Sequence, residues 1–199
     1  MLRKVLYPHL ESLLNNTAKK LHTKGITPNQ LTLAGLALNF VAGWIYASGA
    51  FFWGGIVLLL ASLGDLLDGP LARTTGQASK FGAFLDSTID RYSDLFLFGG
   101  VALYYAREGE GGWVVITLGI IAGSFVTSYT KARAENFIEN CSVGFLERAE
   151  RVILLALASL FPFLRTLILF FLFVGTNATA IQRILFVRKS LPSGPGSSV

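Results

Sequence analysis

Four carboxylates interrupt an otherwise apolar, helix-forming stretch between Asp65 and Asp90. The stretch reads Asp65-Leu-Leu-Asp68-Gly69-Pro-Leu-Ala72-Arg73, then Gly82-Ala-Phe-Leu-Asp86-Ser-Thr-Ile-Asp90. The runs 51–63 and 95–105 on either side carry no charge. An ionised group in hydrocarbon costs about 2.5–3.5 kcal/mol even on lenient insertion scales. Four of them in two adjacent segments require compensation. A divalent cation is the simplest source of it, and that points to chemistry.

The solvent of this chain is expected to be lipid. Apolar residues make up 52% of 199 and charged residues only 15%, and the mean hydropathy is +0.56. A soluble domain of this size could not hide so much apolar surface, and soluble domains carry about 25% charge. The single cysteine, Cys141, excludes an internal disulfide.

The pattern predicts an all-α integral membrane protein. Residues 1–25 read as an amphipathic helix on the membrane surface. Leu2, Val5, Leu6, Leu10, Leu13 and Leu14 recur at helical spacing, with Arg3, Lys4, Lys19, Lys20 and Lys24 beside them. Thr27 then stands as an N-cap with Pro28 at the first helical position. Six transmembrane helices are expected at 29–49, 51–74, 79–105, 112–136, 145–161 and 163–187. Most approach the roughly 20 residues that cross about 30 Å of hydrocarbon. Residues 1–190 would form one membrane domain, with 29–187 as its six-helix bundle. The Ser/Gly/Pro-rich residues 191–199 would form a disordered tail.

Charge placement sets the expected topology. With six spans, every Lys and Arg except Arg107 and Arg165 falls on the side that holds both termini. By the positive-inside rule that side is the cytoplasm. The protein is therefore expected in the cell membrane with its acidic cluster facing the cytoplasm. The net charge of +5, concentrated there, suits anionic headgroups and phosphorylated solutes. No nucleic-acid partner is expected.

Helical spacing puts Asp65 and Asp68 on one face, and Asp86 and Asp90 on one face of the next helix. A short link makes the two helices antiparallel neighbours, so both pairs can converge. Oxygen-only ligands select hard cations, and two-metal sites stabilise in-line displacement at phosphorus. Gly69, Ala72 and Gly82 remove bulk between the pairs, and Arg73 can meet a phosphate as a planar fork. A structural alternative pairs the carboxylates with Arg73, Lys80 and Arg91. Asp94, one turn further on, reads as a structural partner for a basic residue.

The spacing Asp65-x-x-Asp68-Gly69-x-x-Ala72-Arg73, eight residues, Gly82, three residues, Asp86, three residues, Asp90 resembles the signature of the CDP-alcohol phosphatidyltransferases. The resemblance implies a reaction: an alcohol displaces CMP from a CDP-linked lipid such as CDP-diacylglycerol. Carried over by position, Asp65, Asp68, Asp86 and Asp90 would hold two Mg2+ ions, with Mn2+ as the alternative metal. Asp90 would also be the general base. Asn29, Thr32, Gly69, Arg73 and Ser79 would contact the CDP-lipid. Family analogy also implies a homodimer.

The expected acceptor is a phosphorylated alcohol. The segment Ser128-Tyr-Thr-Lys131-Ala-Arg133-Ala-Glu135, followed by Glu147-Arg148-Ala149-Glu150-Arg151, resembles the phosphatidylinositol-phosphate synthase branch, with alanine at 149 where that branch carries proline. By that resemblance Ser128, Lys131, Arg151 and Arg183 would grip the phosphate of inositol phosphate. Arg133 and Arg148 would pair with Glu135, Glu147 or Glu150. Glycerol-3-phosphate is the alternative acceptor. In a different class, the alternative is an ion- or proton-coupled transporter using the intramembrane carboxylates.

Overall fold

The computed structural model describes residues 2–191, with side chains described from residue 11 onward. Seven α-helices follow one another: α1 (Leu2–Thr23), α2 (Pro28–Ala47), α3 (Phe51–Thr74), α4 (Lys80–Arg107), α5 (Gly111–Ala134), α6 (Arg148–Leu160) and α7 (Arg165–Ser190). A single 3-10 turn, Pro162–Leu164, joins the last two. No strand occurs among the described residues.

Local chemistry starts the helices that build the site. Gly25 takes a positive φ of 78°, which ends α1. Thr27 then forms a capping box: its amide donates to Gln30 Oε1 at 2.9 Å, and its Oγ1 accepts from the Gln30 amide at 3.3 Å. Ser79 caps α4, accepting from the Gly82 amide at 3.0 Å. Pro70 lies inside α3, so the carbonyl of Leu66 loses its usual amide donor one turn earlier.

Four helices are long and apolar enough to cross a membrane: Pro28–Ala47, Phe51–Thr74, Gly111–Ala134 and Pro162–Ser190, the last including the 3-10 turn. The other two expected spans differ in kind. α4 is long, but Lys80, Asp86, Asp90, Arg91 and Asp94 fall within its first 15 of 28 residues. α6 has 13 residues, which at 1.5 Å per residue is about 20 Å. It is shorter than the expected 145–161 because residues 145–147 belong to the loop. α1 is helical and packs on α3 and α6. Ala18 on it is buried, while Lys19 and Lys20 are exposed. The side chains of Leu2, Arg3, Lys4, Val5, Leu6 and Leu10, and the expected tail from residue 192, lie outside the described residues.

The core is apolar and central, built on Tyr46, Leu58, Phe98, Ile120, Leu155, Leu169 and Leu172. Large apolar side chains also cover the outside, as Trp44 (73% exposed) and Phe163 (80%) show. That distribution suits lipid on the periphery. α2 packs against both α3 and α4, and α5 packs against α4 and α7. The expected neighbours α3 and α4 barely touch. Two acidic helices with glycine and alanine between them leave a gap there, and α2 bridges it. α2 and α4 meet backbone to backbone: a β-carbon on Gly43 would run into the Phe96 carbonyl, and one on Gly100 into the Gly43 carbonyl.

Candidate functional site

Two cavities open at one end of the bundle, on either side of the acidic residues. The first, about 270 Å3, is walled by the start of α2, the end of α3 and the start of α4. Its lining includes Asn29, Thr32, Asp65, Asp68, Gly69, Arg73, Ser79, Gly82 and Asp86. These are three carboxylates of the expected quartet and the residues expected to meet the CDP-lipid. Thr32 Oγ1 donates to Asp68 Oδ2 at 3.1 Å and to the Pro28 carbonyl at 3.0 Å. That bond ties the start of α2 to the acidic turn of α3. Gly35 faces Asp65 so closely that a β-carbon would lie 2.9 Å from Asp65 Oδ1. A β-carbon on Gly82 would lie 3.1 Å from Ser79 Oγ and 3.5 Å from Asn29 Oδ1. Glycine at 82 therefore keeps the cavity's rim open, and glycine at 35 leaves the Asp65 carboxylate its place.

The second cavity, about 210 Å3, lies between α4, α5, α7 and the start of α6. Asp90, Ser128, Lys131, Arg151 and Arg183 line it. The four residues expected to grip an acceptor phosphate are thus brought together, although they come from three helices. Two are firmly fastened already. Arg151 Nη2 donates to Asp94 Oδ2 at 2.6 Å, with both side chains under 5% exposed. Arg183 donates to the carbonyls of Thr127 (2.6 Å) and Val143 (2.9 Å). Lys131 is looser, with Nζ 4.0 Å from Glu147 Oε1 and its side chain 42% exposed. The same Glu147 oxygen lies 3.4 Å from Arg183 Nη2. Glu147 therefore fills, with a carboxylate, the place between two of the expected phosphate contacts. Asp94 is the structural partner that its position suggested, and its partner is Arg151.

The seam between the cavities is a residue assigned differently from the sequence. Arg148 Nη1 sits 2.7 Å from Asp65 Oδ2 and 2.7 Å from Asp90 Oδ1. The expected pairing of Arg148 with Glu135, Glu147 or Glu150 is corrected by this geometry. Half-buried Asp65 and Asp90, with buried Asp94 nearby, surround its guanidinium with three negative charges from α3 and α4. Arg133 instead stacks over the Phe137 ring at 4.7 Å. Of the cations in the structural alternative, Arg91 does approach Asp90, at 3.7 Å, and also donates to the Ser87 carbonyl. A signal for Arg148 exists in the sequence: it precedes Arg151 by three residues, and so shares its helix face. Gly35, Gln77 and Ala78 also belong to the first cavity's surroundings without a motif to announce them.

The donor set fits a hard divalent cation. Every candidate ligand is a carboxylate oxygen, Gly35 leaves room beside Asp65, and a positive charge is already accommodated between Asp65 and Asp90. With Arg148 in that place, no three carboxylates close around a single point among the described residues.

Comparison with known proteins agrees with this geometry. The sequence model of the CDP-alcohol phosphatidyltransferase family matches residues 25–185. The phosphatidylinositol phosphate synthase of Streptomyces avermitilis is 38% identical over 95% of this chain and 83% of its own length. The archaetidylinositol phosphate synthase of Pyrococcus horikoshii is 38% identical over 94% and 97%. Among solved structures, the Mycobacterium tuberculosis phosphatidylinositol phosphate synthase with CDP-DAG bound superposes with a TM-score of 0.81 at 32% identity, covering 88% of this chain and 94% of the other. The same enzyme in complex with manganese and citrate gives 0.80 at 34% identity, with 88% of each chain covered. The acidic signature, the two cavities that it separates and relatives matched along nearly the whole chain lead to one assignment: this protein is an enzyme of the CDP-alcohol phosphatidyltransferase family.

Proposed function

We propose that the enzyme transfers a phosphatidyl group from CDP-diacylglycerol to a hydroxyl of inositol phosphate, releasing CMP. The observation that carries this reading is the pair of cavities meeting at Asp65 and Asp90. One has the residues of the CDP-binding signature on its wall, and the other has Ser128, Lys131, Arg151 and Arg183. A donor phosphorus lying at the seam would be within reach of an acceptor hydroxyl in the second cavity. The acceptor's own phosphate accounts for basic residues beyond those that one pyrophosphate needs. The named relatives at 38% identity make inositol-phosphate products, which favours inositol phosphate over glycerol-3-phosphate. Family membership sets the transport reading aside.

In this mechanism Asn29, Thr32, Gly69, Arg73 and Ser79 bind the CDP portion. Asp65, Asp68, Asp86 and Asp90 hold two divalent cations, Mg2+ or Mn2+, which neutralise the pyrophosphate and the charge that builds on the departing CMP. Asp90 accepts the proton of the acceptor hydroxyl; a carboxylate within hydrogen-bond reach suffices for that role. Lys131 and Ser128 bind the acceptor phosphate, while Arg151 and Arg183 shape the wall behind it. Residues 1–190 form a single membrane domain of six spans, with the site and both termini on the cytoplasmic side, and the enzyme works as a homodimer.

An acceptor panel tests the reading. Full-length enzyme is given radiolabelled CDP-diacylglycerol with inositol phosphate, glycerol-3-phosphate, inositol or serine. Product is expected with inositol phosphate at the lowest acceptor concentration; preference for glycerol-3-phosphate would move the enzyme to the other branch. The Pyrococcus relative is named for an archaetidyl product, so an ether-linked CDP-lipid belongs in the same panel.

A further inference from the structure

Arg148 touches acids of both cavities, and a single nitrogen makes both close contacts. Its Nη1 contacts Asp65 and Asp90 at 2.7 Å each. Its Nε is 3.9 Å from Asp94 Oδ1 and has no hydrogen-bond partner. Its side chain is 19% exposed, against 3% for Arg151 one turn on. Arg151 pairs with the one carboxylate of Asp94, whereas Arg148 bridges two carboxylates from two helices at the wall of the second cavity. Arg148 lines that cavity, which leaves its side chain space to move into.

We propose that Arg148 is a built-in substitute for the divalent cation. It neutralises Asp65 and Asp90 while no metal is bound, and withdraws into the second cavity when one arrives. This rests on the metal-dependent reading above. Two half-buried carboxylates within reach of one nitrogen repel each other without a cation between them. The guanidinium and a metal ion compete for the same oxygens, so each weakens the other's hold. Withdrawal places a positive charge among Lys131, Arg151 and Arg183, so metal loading also prepares the anion-binding wall. Arg148 is thus a positioning residue that links the two halves of the site.

The test uses full-length protein in detergent without CDP-lipid, and Mn2+ alone as the probe. Free Mn2+ is followed by electron paramagnetic resonance, and thermal unfolding is followed in chelator and in saturating Mn2+. Arg148→Gln is expected to bind Mn2+ at least about fivefold tighter than the unaltered protein, the low end of coupling between competing ligands. It is expected to melt earlier in chelator and to recover in Mn2+. Arg148→Met, which keeps an unbranched stem and drops the charge, is expected to bind Mn2+ more tightly as well, and it decides the matter if the glutamine variant does not fold. Arg133→Gln removes the same charge away from both cavities and is expected to keep the original affinity. Unchanged or weaker Mn2+ binding on loss of Arg148 overturns the proposal and leaves the enzymatic reading intact. So does a stability loss that Mn2+ does not repair, which marks a purely structural arginine. If the unaltered protein and both variants all fail to bind Mn2+, the metal-dependent reading falls along with the proposal.

Discussion

Arg151 Nη2 and Asp94 Oδ2 lie 2.6 Å apart with both side chains nearly excluded from solvent. The pair joins α6 to α4 behind the second cavity. Removing one partner of a buried ion pair strands the other, at about 3–5 kcal/mol. Asp94→Asn is expected to lower the melting temperature of detergent-purified enzyme by several degrees, consistent with a loss of that size. A variant that melts like the parent would show that the pair carries little of the fold.

Asp90 is the expected base. Asp90→Asn keeps the shape of the side chain and removes the proton acceptor. CMP release is expected to fall by about 10²–10⁴-fold, the usual contribution of a general base, while the protein stays folded and still binds CDP-lipid. Full activity in this variant would remove Asp90 from that role.

Lys131 and Glu147 are expected to act in opposite directions on the acceptor. Losing a charged hydrogen bond is worth about 1.5–3 kcal/mol. Lys131→Ala is therefore expected to raise the KM for inositol phosphate by about tenfold or more while sparing that for the CDP-lipid. Glu147→Gln takes away the carboxylate that lies between Lys131 and Arg183, so the same KM is expected to drop. Steady-state kinetics with each substrate varied in turn reads both. Equal effects on the two substrates would argue against an acceptor-phosphate pocket.

Removal of divalent cations is expected to stop turnover, and added Mg2+ or Mn2+ to restore it. Undiminished product formation in excess chelator would refute the role assigned to the four aspartates.

The α2–α4 contact has no room for a methyl group. Gly100→Ala would press a β-carbon into the Gly43 carbonyl. Overpacking of this kind costs about 1–3 kcal/mol, more where backbone rather than a flexible side chain must move. A lower melting temperature is expected, accompanied by weaker CDP-lipid binding, because the same two helices wall the first cavity.

The parts of the site legible in the sequence are those set by spacing along one helix. Asp65 with Asp68, and Asp86 with Asp90, share helix faces by arithmetic alone, and Thr27 announces the helix start that carries Asn29. The ion pairs of Arg148 cross between helices far apart in sequence, and no such spacing sets them. Arg148 reads as a partner for glutamates near it in sequence until α6 is packed against α3; only then do Asp65 and Asp90 reach it from two helices. The antiparallel pairing of α3 and α4 followed from their short link, but a link limits distance and does not force contact. The acidic faces and small residues left a cleft there instead. The short α6 was overestimated because its apolar pattern continues into a loop on one side and a proline turn on the other.

The touching backbones at Gly43 and Gly100 act as a fulcrum close to one end of a parallel helix pair. Beyond it, on the short arm, Arg107 Nη1 donates to the Ala47 carbonyl at 2.9 Å. On the long arm stand Asn29 and Gly82, at the rim of the first cavity. A scissoring of α2 against α4 about that point is magnified at the rim and resisted at the far tip. The latch at the opposite end of the helix pair thereby limits how wide the mouth of that cavity can gape.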